Sequence, residues 1–180
     1  MRFLKSILFL STLVLLGSCA SLVPFSSDLK NKYHLADSDI PKLQFYNSGD
    51  IILYKDAVNG KRTIEGGKIK VIDGREVEEI IIQEKTKGIA IKNLLLGQNL
   101  GVSFEISDSY FLTFGPNPKF GDKYCLLASN WRNDIGEVTY NDEKFRTPST
   151  SGRVYLLVNV KKLEKLERSS RIAKGRKVKG

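Results

Sequence analysis

Histidine occurs once in this chain of 180 residues and cysteine twice, and there is one tryptophan. These scarcities exclude much familiar chemistry. A zinc site draws three or four ligands from histidine, cysteine and carboxylate side chains, and His34 with Cys19 and Cys125 makes a poor supply. A Ser–His–Asp or Cys–His centre needs an imidazole held within hydrogen-bond reach of its nucleophile. His34 lies in a polar stretch ahead of the first strong strand signal, where nothing fixes it. No glycine-rich phosphate loop is present: Gly115-Pro116-Asn117-Pro118 has neither the lysine nor the following helix that such a loop requires. No apolar run reaches the ~20 residues that span a bilayer. A non-enzymatic protein without cofactor or metal is therefore expected.

What the chain does have begins at its N-terminus. Arg2 and Lys5 precede a short apolar run, Ile7 to Leu16, which is closed by Leu16-Gly17-Ser18-Cys19. An aliphatic residue, two small residues and then cysteine resembles the lipobox of bacterial lipoproteins. The resemblance implies that residues 1–18 are a signal peptide and that Cys19 receives diacylglycerol. It further implies that Cys19 becomes the first residue and takes another acyl chain such as palmitate. Each buried methylene adds ~0.8 kcal/mol, so two or three chains hold a protein where one does not. The alternative is an ordinary cleaved secretory signal with Cys19 incidental. Ala20 and Ser21 lack the aspartate that resembles an inner-membrane retention signal, so the implied location is the outer membrane, facing the periplasm.

With Cys19 lipidated, Cys125 has no partner for an internal disulfide, and stability must come from packing. Cys125 sits in the apolar run Tyr124-Cys125-Leu126-Leu127, with Lys123 the one neighbour able to lower its pKa. It reads as a small core residue.

Charge is unevenly placed. Nine of the 29 basic residues lie in 161–180, against two acids there, Glu164 and Glu167, and Arg2 and Lys5 lie in the leader. Eighteen residues of each sign remain between 19 and 160, so the excess of positive charge describes a tail and not a fold. Val160, Leu163 and Leu166 are spaced to start that tail as a helix. From Ser169 onward, Gly175 and Gly180 lie among basic residues and the segment reads as disordered. Arg168, Arg171, Lys174, Arg176, Lys177 and Lys179 are candidates to grip an anionic surface. A purely solubilising tail is the competing reading. Nucleic acid is disfavoured, because the signal directs the protein out of the cytoplasm.

Between the ends, residues 19–41 mix polar residues and proline without period and read as a tether. Residues 42–160 read as a β domain. In Leu100-Gly101-Val102-Ser103-Phe104-Glu105-Ile106 the large apolar residues fall on every second position. Asn59-Gly60, Asp73-Gly74, Asn141-Asp142 and Asn47-Ser48-Gly49-Asp50 supply turns. The fold class is all-β: an antiparallel β-sandwich or partly open β-barrel with a short C-terminal helix or disordered basic tail. Ile91 to Leu96 suits helix or strand, and residues 93–98 could join two small β subdomains. From Pro41-Lys42-Leu43-Gln44-Phe45-Tyr46 through Lys68-Ile69-Lys70-Val71 to Val154-Tyr155-Leu156-Leu157-Val158, the body resembles small all-β envelope lipoproteins of Gram-negative-type bacteria. That resemblance implies fold and location and transfers no activity.

The most site-like stretch is aromatic. Trp131, with Asn130 and Arg132 beside it and Tyr110 and Phe120 upstream, suits a stacking surface for a glycan or an anchor for an envelope protein. The commoner role of such a residue is to cap one end of the core while its polar neighbours form the turn. The Gly115–Gly121 loop, stiffened by Pro116 and Pro118, is a candidate wall. Glu76, Glu78 and Glu79 form the one acidic cluster a hydrolase would use, and such clusters are more often a solvated face. An interaction module is thus the leading reading, ahead of a lipid carrier with a hollow barrel and of a carboxylate hydrolase. Oligomeric state is not legible.

Overall fold

The structure, a computed structural model, describes residues 21–56, 68–72, 75–96 and 98–168. The signal peptide, Cys19, the Asn59-Gly60 turn and the tail from Ser169 lie outside the described residues, as do the side chains of Glu76 and Arg168.

Every strand pairing among the described residues is antiparallel, in two sheets, so the chain is all-β as expected. The first sheet runs in the order β1 (Leu22–Pro24), β13 (Leu156–Asn159), β2 (Gln44–Asn47), β6 (Lys87–Leu96), β7 (Asn99–Ser103), β8 (Phe111–Asn117), β9 (Lys123–Leu126). Its two edges meet. The Phe25 amide donates to Leu156 O (2.8 Å) while its carbonyl accepts from the Tyr124 amide (3.0 Å), and the Leu126 amide donates to Val154 O (2.9 Å). The sheet thereby curls into a barrel, which removes the exposed edges that invite mispairing.

The second sheet has the order β10 (Ser129–Arg132), β11 (Ile135–Tyr140), β12 (Glu143–Pro148), β3 (Ile51–Asp56), β5 (Arg75–Ile82), β4 (Lys68–Ile72). Strands β10 to β12 are a meander because their turns are built for it. Arg132 pairs with Ile135 and Tyr140 with Glu143. The intervening Asn133-Asp134 and Asn141-Asp142 all adopt positive φ (47°, 62°, 50° and 60°), as type I′ hairpins require. Ile72 likewise pairs with Arg75 across residues 73–74, which themselves lie outside the described residues.

Period-2 alternation puts Gly136, Val138 and Tyr140 of β11 and Phe145 and Thr147 of β12 inside. Val138, Tyr140 and Phe145 join Ile51, Leu53, Phe45, Leu112, Phe114 and Leu156 in one core cluster spanning both sheets. Asn47 pins the crossing from β2 to β3: fully buried, its Nδ2 donates to Gly49 O (2.8 Å) and Gln83 O (2.7 Å).

Three expectations change. Residues 21–41 are not a tether. β1 pairs with β13, and Phe25, Leu35 and Ile40 are buried in the core. A short helix, α1 (Ser27–Lys32), is capped by Ser26 Oγ, which accepts from the Leu29 amide at 3.1 Å. Each of these elements is too short to show a period, so the segment looks like a linker in sequence. The domain therefore starts near Leu22, and His34 stands exposed just after α1, at φ 46°.

Next, Ile91 to Leu96 is strand, and residues 93–98 join no subdomains: β6 continues into a hairpin with β7, pairing Leu95 with Leu100 and Leu96 with Asn99. Finally, β7 stops at Ser103. Its Oγ donates to the carbonyls of Glu105 and Ser107, both at 3.1 Å, which bends the chain and leaves Ile106 fully exposed, off the expected face.

The C-terminal helix, α2 (Val160–Arg168), follows β13 directly. Asn159 Oδ1 accepts from the Lys161 amide (2.9 Å) in the manner of an N-cap. Leu163 is fully buried and Leu166 packs against the core.

Candidate functional site

The region that gathers recognition chemistry is a surface groove of 480 Å³ between the β8–β9 connection and the β10–β11 hairpin. Its first wall is local. Asn117 Oδ1 accepts from the Lys119 amide (3.1 Å) and caps a 3₁₀ turn, Pro118–Phe120. Gly121 at φ 65° then reverses the chain, a conformation glycine adopts without steric cost. The turn presents Lys119 and Phe120 outward, Phe120 being 37% exposed.

The opposite wall is set by Trp131, whose place is made by two glycines. A Cβ on Gly136 would lie 3.0 Å from Trp131 Cδ2 and Cε2, and one on Gly152 would lie 2.9 Å from Cη2. The indole rests on bare backbone along its length and still leaves 44% of the residue exposed. Arg132 extends from the same strand. Arg153 arrives from the Ser151–Arg153 turn before β13, and the Ser149 amide donates to Asp134 O (2.7 Å), which ties that connection to the hairpin. Among the described residues, the groove combines exposed aromatic faces with Lys119, Arg132 and Arg153, against one acid, Asp134.

Of the five residues expected to form a binding surface, Trp131, Arg132 and Phe120 meet in this groove. Asn130 and Tyr110 are not among its lining residues. Asn130 turns away at φ 52°, and its Nδ2 donates to the Glu137 carboxylate. Tyr110 packs against Tyr140, with ring centroids 5.4 Å apart, and lines a separate cleft. Sequence reasoning missed Arg153 and the two glycines beneath the indole. Nothing local to Trp131 announces them, except that Gly136 lies on the next strand of the same hairpin. The expected anionic-surface contacts from Arg171 to Lys179 lie outside the described residues, as does the Arg168 side chain.

The separate cleft, of 180 Å³, holds one ionic cluster of the second sheet. The Lys55 ammonium sits 3.3 Å from Glu78, is hydrogen-bonded to Glu143, and lies 5.0 Å from the Phe145 ring centroid. Burial acts to lower its pKa, but the hydrogen bonds to Glu143 and Glu78 outweigh that and hold it above its ordinary value. Tyr140 donates to the Glu105 carboxylate. Burial first, and that carboxylate second, push its phenol far above the usual range. The acidic cluster is divided: Glu78 lines the cleft, while Glu79, one residue on, points to the other face of β5. A carboxylate hydrolase needs one carboxyl as proton donor and one as base or nucleophile, whereas Glu78 and Glu143 share one ammonium.

Cys125 is buried, and burial raises its thiol pKa against the opposing pull of Lys123. Among the described residues no group of three or more His, Cys, Asp and Glu side chains is placed to hold a metal ion. Among them, too, no helix is long and apolar enough to cross a membrane. No protein-family model matches the sequence, and neither curated proteins nor solved structures give a match.

Proposed function

We propose that this protein is a non-enzymatic binding module of the bacterial cell envelope, anchored through acyl chains on Cys19 and facing the periplasm from the outer membrane. Its ligand on this reading is a carboxylate-bearing glycan of the peptidoglycan type, bound in the Trp131 groove. The observation that carries it is the exposed indole, seated on Gly136 and Gly152 and flanked by Arg132 and Arg153. A sugar ring offers an apolar face that stacks on an aromatic plane. Its carboxylates and amides match the planar donors of arginine, which pair with carboxylates in a bidentate fashion. The ring is held before the ligand arrives, so little conformational freedom is lost on binding.

The barrel interior argues against the carrier reading. A carrier needs an open apolar cavity, and here Phe25, Phe45, Leu112, Phe114 and Leu156 fill the space as core.

Co-sedimentation with purified peptidoglycan sacculi tests the proposal. Wild type should pellet with sacculi, and Trp131→Ala and Arg153→Gln should each reduce the bound fraction about tenfold, as a binding hot spot does. Equal pelleting of all three forms would remove the groove from the account.

A further inference from the structure

The Val160 amide donates to the Ser21 carbonyl at 3.2 Å, and Leu22 pairs with Asn159. The chain therefore enters the body beside the first residue of α2. Cys19 precedes Ser21 by two residues, at most about 7 Å of chain. The helix is fixed to the body by fully buried Leu163 and by Leu166. At 100° per residue, Lys161, Lys162 and Lys165 fall within an arc of roughly 100° whose centre lies about 30° from the point opposite Leu163, and all three are exposed. Glu164, half-buried, lies outside that arc.

We infer that this face of α2 is a second membrane contact whose ligand is the anionic head-group surface of a phospholipid bilayer. Position and sign of charge both favour that surface. A lysine-rich face, rigidly mounted where the N-terminal segment leaves the body, meets whatever surface holds that segment. Basic residues near an anionic leaflet bind it electrostatically, each by about a factor of five. The sequence continues beyond α2 with Arg171, Lys174, Arg176, Lys177 and Lys179, which adds charge of the same sign.

The contact also sets an orientation. The chain runs from Arg153 in the groove through β13 to Val160 at the helix, seven residues or about 20 Å where extended. With α2 on the bilayer, the groove stands off it, open to the aqueous side. The orientation and the choice of a bilayer both rest on the proposed anchor, whereas the measured affinity for anionic lipid does not.

The test is partition of the full chain between buffer and vesicles, comparing phosphatidylglycerol-rich vesicles with pure phosphatidylcholine. The leader's apolar run contributes equally to wild type and variants, so the readout is the change caused by substitution. The triple variant Lys161→Gln, Lys162→Gln, Lys165→Gln should lose roughly a hundredfold in partition to the anionic vesicles and nothing on the neutral ones. Replacing the five cations from Arg171 to Lys179 by glutamine should leave an α2-dependent component. Amine-reactive labelling of the vesicle-bound chain adds a positional readout: Lys162 and Lys165 should be protected, and Lys119 in the groove should stay reactive. Undiminished partition of the triple variant would overturn the inference, as would labelling of Lys162 unchanged by anionic vesicles. Failure of Cys19 to carry lipid in cells would remove the anchor reading and leave the vesicle result standing.

Discussion

Trp131 lies directly over Gly136: a methyl group added at that glycine would meet the indole at 3.0 Å and the Ala128 Cβ at 2.9 Å. The relationship links a packing detail to a surface property, because the missing side chain lets the ring lie flat and remain half-exposed at the groove. Gly136→Ala should therefore displace the indole. An expected destabilisation of about 1–3 kcal/mol, measured by chemical denaturation, should accompany a shift in the emission of the chain's single tryptophan. An unchanged spectrum would show that the ring is not seated there.

The β11–β12 turn gives a backbone prediction. Asn141 and Asp142 adopt φ values of 50° and 60°, a region asparagine tolerates and β-branched residues resist. Asn141→Val should lower stability by about 1–3 kcal/mol, while Asn141→Gly should be neutral or mildly stabilising. Urea unfolding of the two variants distinguishes this from loss of a side-chain contact, which would destabilise both.

Alkaline pH should weaken the fold through Tyr140 and Lys55. Both groups have folded-state pKa values above their ordinary ones, 10.0 for the phenol and 10.5 for the ammonium. The folded state thus holds their protons more tightly than the unfolded chain does. Their stabilisation is complete below the unfolded values and declines as pH rises past them. Thermal unfolding followed from pH 8 to 12 should show stability falling above pH 10, with a shallower fall in Tyr140→Phe. That variant keeps the ring against Tyr110 and Phe145 and loses the hydrogen bond to Glu105, at a cost near 1 kcal/mol at neutral pH. An identical slope in wild type and variant would exclude Tyr140 as the titrating group.

Cys19→Ser should abolish acylation and shift the protein from the membrane to the soluble fraction of expressing cells. Metabolic labelling with a palmitate analogue, together with fractionation, reads both effects. Labelling that persists in the variant would place the lipid elsewhere.

Parts of the fold were legible where their determinants are local. Asn141-Asp142 announced a turn because two residues alone dictate its backbone, and Tyr124-Cys125-Leu126 announced core by composition. Part of what escaped depends on distant partners. Phe25 reads as one apolar residue in a polar stretch, and only the closure of the barrel between Leu156 and Tyr124 shows it to be core. Ile106 fits the alternation of Leu100 and Val102, yet the Ser103 hydroxyl bends the chain before the pattern ends. At the candidate site, Trp131, Arg132 and Phe120 stood out by residue type. Asn130 was grouped with them by adjacency, although its positive φ and bond to Glu137 turn it elsewhere. Arg153 joins from a turn that no spacing rule connects to Trp131.

The most direct test of the central claim uses the chain's own probe, since Trp131 is its single tryptophan. Its emission should be followed while soluble peptidoglycan fragments carrying carboxylates are added, with an uncharged oligosaccharide of the same sugars as control. The account predicts a saturable change in intensity or wavelength with the acidic fragments, weakened about tenfold by Phe120→Ala, as truncation of an aromatic hot spot does. An indole that reports no change, in a protein shown by calorimetry to bind the same fragments, would place recognition outside the groove and contradict the account.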